Sequence, residues 1–145
     1  MDVKLINKWL RDNHFDVKVI ESEESEYDHG NQIIYFNSTE DEEITKDQVR
    51  YFKRRGLTNY SKKVVVFLHE LGHSQTMDDA NIFNQIVDKV LRNILYYSPT
   101  PNRTIQLLKY YLYHMLPLEK WATSWAVNYM LNNKEEVSAL EEIFN

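Results

Sequence analysis

The chain has 145 residues, 43% of them hydrophobic, which suits one compact domain burying about 68–70% of its unfolded surface. A net charge of −5 argues against general nucleic-acid binding, which needs a basic surface. The absence of cysteine excludes disulfides and thiolate metal sites, so any metal must be held by His, Asp, Glu or water.

The N-terminal stretch MDVKLINKWLRDNH spreads charges throughout and has no apolar core of the kind a secretory signal needs. Residues 2–13 place Ile6, Trp9 and Leu10 at helical spacing, which predicts a short amphipathic helix. Residues 15–20 (FDVKVI) alternate apolar and polar and read as a strand. Residues 21–28 (ESEESEYD) carry five carboxylates, read as a solvated acidic loop or hairpin; the functional alternative is a rim that attracts a basic partner. His29-Gly30-Asn31 signals a turn, and residues 32–37 (QIIYFN) are the strongest strand candidate. Together these pieces predict a small antiparallel sheet near the N-terminus, with the 32–37 strand offering an edge to an extended peptide.

Residues 38–45 read as an acidic loop, and residues 46–55 as a short helix ending near Gly56. The basic patch Lys53-Arg54-Arg55 reads as a solvated helix end. From residue 60 onward the pattern is helical almost throughout. Ser61 is placed to cap a helix that runs to about Gln75. In residues 79–97, Ile82, Phe83, Ile86, Val87, Val90, Leu91, Ile94 and Leu95 follow three- and four-residue steps, which predicts a core-facing amphipathic helix. Ser98-Pro99-Thr100-Pro101-Asn102 breaks the chain. Further helices are expected over about 103–116, 118–132 and 134–144. No run approaches the ~20 apolar residues that span a membrane, and no repeat or linker marks a second domain. The expected class is α+β and predominantly helical, one domain over 1–145, located in the cytoplasm.

The helix that starts at Ser61 carries the chemistry. His69-Glu70-Leu71-Gly72-His73 reads H-E-x-x-H, the signature of a zinc-dependent hydrolase. Residues four apart on an α-helix are rotated by about 40° and raised by roughly 6 Å, so His69 and His73 can reach one metal ion. Glu70 then sits beside the metal as an acid/base. The run Val64-Val65-Val66-Phe67-Leu68 before the motif is wholly apolar, which carries these polar groups toward the interior. Burying them unpaired costs several kcal/mol, and a metal offsets that cost.

A catalytic zinc usually takes three protein ligands and a water. Three residues compete for the third place. Asp79 stands where a metzincin would carry histidine, but Thr76 stands in place of that pattern's glycine. His114 is a suitable ligand by type, set among the large aromatics of YYLYHMLP. Glu119 falls in the first turn of its helix, with Ala122 and Ala126 following on the same face. Those small residues would let its helix lie close against the motif helix, with Trp121, Trp125 and Tyr129 packing alongside. Glu119 is the preferred third ligand. His114 and Tyr110, Tyr111 and Tyr113 are candidate donors to a developing oxyanion.

At these residues the chain resembles the ImmA/IrrE-type metallopeptidases, a gluzincin-like family. The shared features are the strand ending in Asn (Ile33–Asn37), the apolar helix entering HELGH, and the later pattern of Glu119, Ala122 and Ala126. The resemblance covers about half the chain. It implies His69, His73 and Glu119 as zinc ligands and Glu70 as catalytic acid/base. It also implies a cytoplasmic, zincin-like protease with a narrow protein target. Two features depart from the family. An extra helix lies between His73 and Glu119, and no helix-turn-helix accompanies the domain. The alternative expectation is a zinc-stabilised interaction module, a phage or mobile-element accessory that binds a protein without cutting it.

Overall fold

The structure is a computed structural model that describes residues 2–38, 50, 52–55, 57, 60–77, 80 and 82–145. Helix α1 (Val3–Asp12) precedes strands β1 (Lys18–Glu21), β2 (Glu26–Asp28) and β3 (Ile33–Phe36). Five helices with fully described bounds follow: α2 (Lys62–Thr76), α3 (Ile82–Tyr97), α4 (Arg103–His114), α5 (Pro117–Asn132) and α6 (Lys134–Phe144). The class is α+β, predominantly helical. The expected loop at 38–45 and helix at 46–55 fall largely outside the described residues. No helix among the described residues is long and apolar enough to cross a membrane.

The ends of α1 follow from its sequence. Asp2 accepts hydrogen bonds from the free amides of Lys4 and Leu5, and Ile6, Trp9 and Leu10 form the buried face. Asn7, on the same helix, reaches the outer side of β1. Its side chain accepts from the Val19 amide at 2.9 Å and donates to the Val19 carbonyl at 3.0 Å. One amide side chain thus closes an edge that would otherwise present open backbone groups.

The sheet is mixed rather than wholly antiparallel. Its order is β1-β3-β2, with β1 parallel and β2 antiparallel to β3. The acidic stretch supplies this arrangement, because Glu26–Asp28 is an outer strand and not only loop. The chain leaves β1, crosses the end of β3 through residues 22–25, and returns along the far side. Asn37 pins that crossing: its amide donates to Ser25 Oγ at 3.0 Å and its side chain to the Glu23 carbonyl at 2.5 Å. The 32–37 strand is therefore central, flanked on both sides, and among the described residues β2 is the outer strand on the side away from β1.

Helix α2 is the centre of the domain. Ser61 caps it, and nine consecutive residues from Val64 to Gly72 are buried. A helix apolar all round must be covered all round. Here α5, α6, β2 and β3 cover it. Phe67 meets the rings of Trp9, Phe36 and Phe144 at 5.5–6.3 Å between centroids. Trp125 and Tyr129 stack at 5.0 Å and pack on Phe15, whereas Trp121 is exposed.

Helix α3 overturns one expectation. Asp88 is its one buried residue, and Ile82, Phe83, Ile86, Val90, Leu91 and Ile94 are exposed. The helix is amphipathic as read, but its polar side faces the body. The reason is local: Asp88 and Arg92 have charged and hydrogen-bonding partners on α5 and α4 that can be met only from the inside.

Replacing Asn7 by Ala leaves the Val19 amide and carbonyl without their partner. The expected loss is roughly 1–3 kcal/mol, from one hydrogen-bonding group removed at a partly buried site. Urea unfolding read by circular dichroism checks it, with Lys8→Ala on the exposed face as the neutral comparison.

Candidate metal centre

Two helices bring the site together. Gly72 on α2 lies against the backbone of Ala122 on α5. A Cβ at position 72 would stand 2.4 Å from the Ala122 carbonyl oxygen and 3.0 Å from its Cα. The helices meet backbone to backbone there, so residues one turn away on each are carried into direct contact. Ala122 and Ala126 are both fully buried, as expected of the small face beneath Glu119. Pro117 starts α5 as its first helical residue and sets Glu119 in the first turn.

His69, His73 and Glu119 converge. His69 Nε2 lies 3.0 Å from Glu119 Oε2, and His73 Nε2 lies 3.4 Å from Oε1. Among the described residues these three form a group able to hold a metal ion, with ligand atoms within 4.8 Å of one another. Ligands at about 2.0–2.1 Å from a tetrahedral ion stand roughly 3.3 Å apart; the 3.0 and 3.4 Å separations match this, and the widest, up to 4.8 Å, would have to close around an ion. Asp79 lies outside the described residues. His114 is not in the group; it lines a separate cavity of about 470 Å³ together with His69, Tyr110, Tyr111 and Thr123.

Proton accounting also points to a cation. Thr123 Oγ1 donates to the Glu119 carbonyl at 2.8 Å, one turn back on α5. That spends its only hydrogen, so at His69 it accepts from Nδ1–H, 3.1 Å away. A neutral His69 then has a bare lone pair on Nε2, pointed at a carboxylate oxygen. Two acceptors facing each other in a buried site need a positive charge between them, a proton or a metal.

Arg92 was not singled out from sequence, yet it holds the cluster from α3. Its Nη2 donates to Glu119 Oε1 at 2.6 Å, Nε to Asp88 Oδ2 at 2.7 Å, and Nη1 to the Tyr113 hydroxyl at 2.5 Å. Asp88 also accepts from the Leu118 amide at 3.3 Å, tying α3 to the start of α5. The sequence signal was present: Asp88 and Arg92 are four apart, opposite in charge, on the polar side of an amphipathic helix. Burial alone would raise the Glu119 carboxyl. Hydrogen bonds from both histidines and their charge outweigh it and hold the group well below the ordinary carboxylate range. Burial, followed by the nearby Glu119 charge, pushes the Tyr113 hydroxyl up, so it stays a protonated donor.

The cluster opens into a cleft of about 550 Å³. Glu70, His73, Glu119, Arg92 and Tyr113 line it, and β2 with its approach (Glu24–Tyr27) forms one wall. Of the tyrosines considered as donors, Tyr113 is the one on this cleft, while Tyr110 and Tyr111 line the other cavity. Compared with models of known protein families, with curated proteins and with solved structures, the chain matches none.

Two substitutions probe this construction. Gly72→Ala adds about 1 kcal/mol of intrinsic helix preference, but its methyl meets backbone that cannot swing aside. The expected net effect is a loss of roughly 1–3 kcal/mol and weaker metal binding, read by thermal unfolding with and without zinc. Arg92→Met removes the hold on Glu119 Oε1. Zinc affinity, measured by competition with a chromogenic chelator, should fall about 10–100-fold. A rise instead would show that Arg92 competes with the metal for the carboxylate.

Proposed function

We propose that the protein is a metallopeptidase of the ImmA/IrrE type, using zinc to hydrolyse peptide bonds in a specific cytoplasmic protein target. One observation carries the reading. Glu70, a residue the metal group does not use, stands on the same open cleft as His73 and Glu119. A site built only to stabilise the fold has no use for a base at that position.

His69, His73 and Glu119 would hold the ion. When bound, it supplies Lewis acidity that brings the pKa of an attacking water toward ~7. Glu70 takes the proton of that water as it adds to the scissile carbonyl, then delivers it to the leaving amine. The Tyr113 hydroxyl donates to the oxygen that gains negative charge. Arg92 bridges the donor and the metal-holding carboxylate, bonding Tyr113 through Nη1 and Glu119 through Nη2. The substrate backbone pairs with the outer edge of β2, which borders the cleft, in place of the central strand.

Metal content and cleavage test the proposal together. The purified chain should take up one zinc, lost in His73→Ala and in Glu119→Ala. Incubated with a tryptic peptide library from a bacterial extract, the zinc-loaded protein should generate new termini detectable by mass spectrometry. Glu70→Gln should keep its zinc and lose about 10²–10⁴-fold in rate. Equal cleavage by Glu70→Gln would refute the mechanism. Zinc binding with no cleavage of any peptide would favour the non-cutting interaction module.

A further inference from the structure

Among the described residues, no element covers the outer face of α3. Ile82 (76% exposed), Phe83 (71%), Ile86 (56%), Val90 (50%), Ile94 (55%) and Tyr97 (79%) all stand in solvent. From Phe83 the last five follow steps of three, four, four and three residues, the spacing of a seam that another helix can fill. With about 150–250 Å² for a whole aromatic side chain and somewhat less for an aliphatic one, these six expose on the order of 700 Å². A monomer's largest apolar patch is usually about 300–600 Å². A stable pair buries roughly 800 Å² on each partner.

We propose that this stripe is a homodimer interface, in which α3 of one copy packs on α3 of a second copy about a two-fold axis. Three observations select a second copy. The stripe contains no charged residue, so two copies can face each other without like-charge repulsion. Its area, roughly 700 Å² on each copy, would bury about 1,400 Å² in all, within the range of about 1,200–2,000 Å² for a stable pair. A membrane surface fits poorly. A helix lying on anionic lipid carries several cations on its polar side. On α3, Lys89 is exposed, while the other cation, Arg92, is engaged by Asp88, Glu119 and Tyr113. The pairing is independent of catalysis, but it covers the outside of the helix whose inside holds Glu119.

In a two-fold arrangement, the residue midway along the stripe lies nearest its own copy. That residue is Val90. The chain has no cysteine, so Val90→Cys gives a single reporter thiol. Sedimentation velocity of the full chain between about 5 and 100 µM should show a species of twice the 17.4 kDa chain mass. The double variant Ile86→Glu/Val90→Glu should sediment at the single-chain mass with unchanged circular dichroism, because both side chains are exposed. Ile20→Glu, an exposed apolar position on β1, should stay paired. Under mild oxidation Val90→Cys should convert to a disulfide-linked dimer at least tenfold faster than Leu131→Cys. Wild type at single-chain mass at every concentration would overturn the proposal, as would a double variant that remains a dimer. A single-chain species that cosediments with phosphatidylglycerol vesicles would overturn it in favour of a lipid surface.

Discussion

The contact of Gly72 with Ala122 is the constraint on which the rest of the domain depends. The absence of a side chain at Gly72 lets the two helix backbones come this close, because a Cβ there would stand 2.4 Å from the Ala122 carbonyl oxygen. His73, next to that contact, and His69 and Glu119, each about one turn from it, meet within 3.4 Å. A larger residue at either position would separate the helices. The three side chains would then lose register, although each would still sit on a well-formed helix.

A buried group of this kind is tolerated only if every member is satisfied. Thr123 sets the tautomer of His69, both histidines and Arg92 share Glu119, and Asp88 balances Arg92 while holding the Leu118 amide. The network joins three helices, α2, α3 and α5, and reaches α4 through Tyr113. The same bonds that position the ligands also fix the orientation of α3.

That orientation explains the exposed stripe. Apolar burial of one face of α3 would stabilise the chain through several side chains. Turning that face inward, however, would strand Asp88 and Arg92 outside and leave Glu119 and the Leu118 amide without them. Stripping a buried carboxylate of one of its charged partners, and a buried amide of its acceptor, costs more than leaving aliphatics exposed does.

Much of this was legible from residues alone. The cap at Ser61, the buried run into HELGH, the helix break at the two prolines and the small face below Glu119 are local patterns. Each depends on neighbours within a turn or two. The motif also identified His69 and His73 as sharing a face, because helix geometry alone decides that. Periodicity showed that α3 is two-sided but could not say which side meets the body, because both sides have partners to offer. The parallel pairing of β1 with β3, the place of β2 on the cleft and the reach of Arg92 to Glu119 likewise depend on residues far apart in sequence. The sequence by itself determined the helices, the metal-binding motif and the chemistry its residue types permit. Only the tertiary structure decided which carboxylate, which tyrosine and which strand edge join that motif, because those choices are made where separate elements pack.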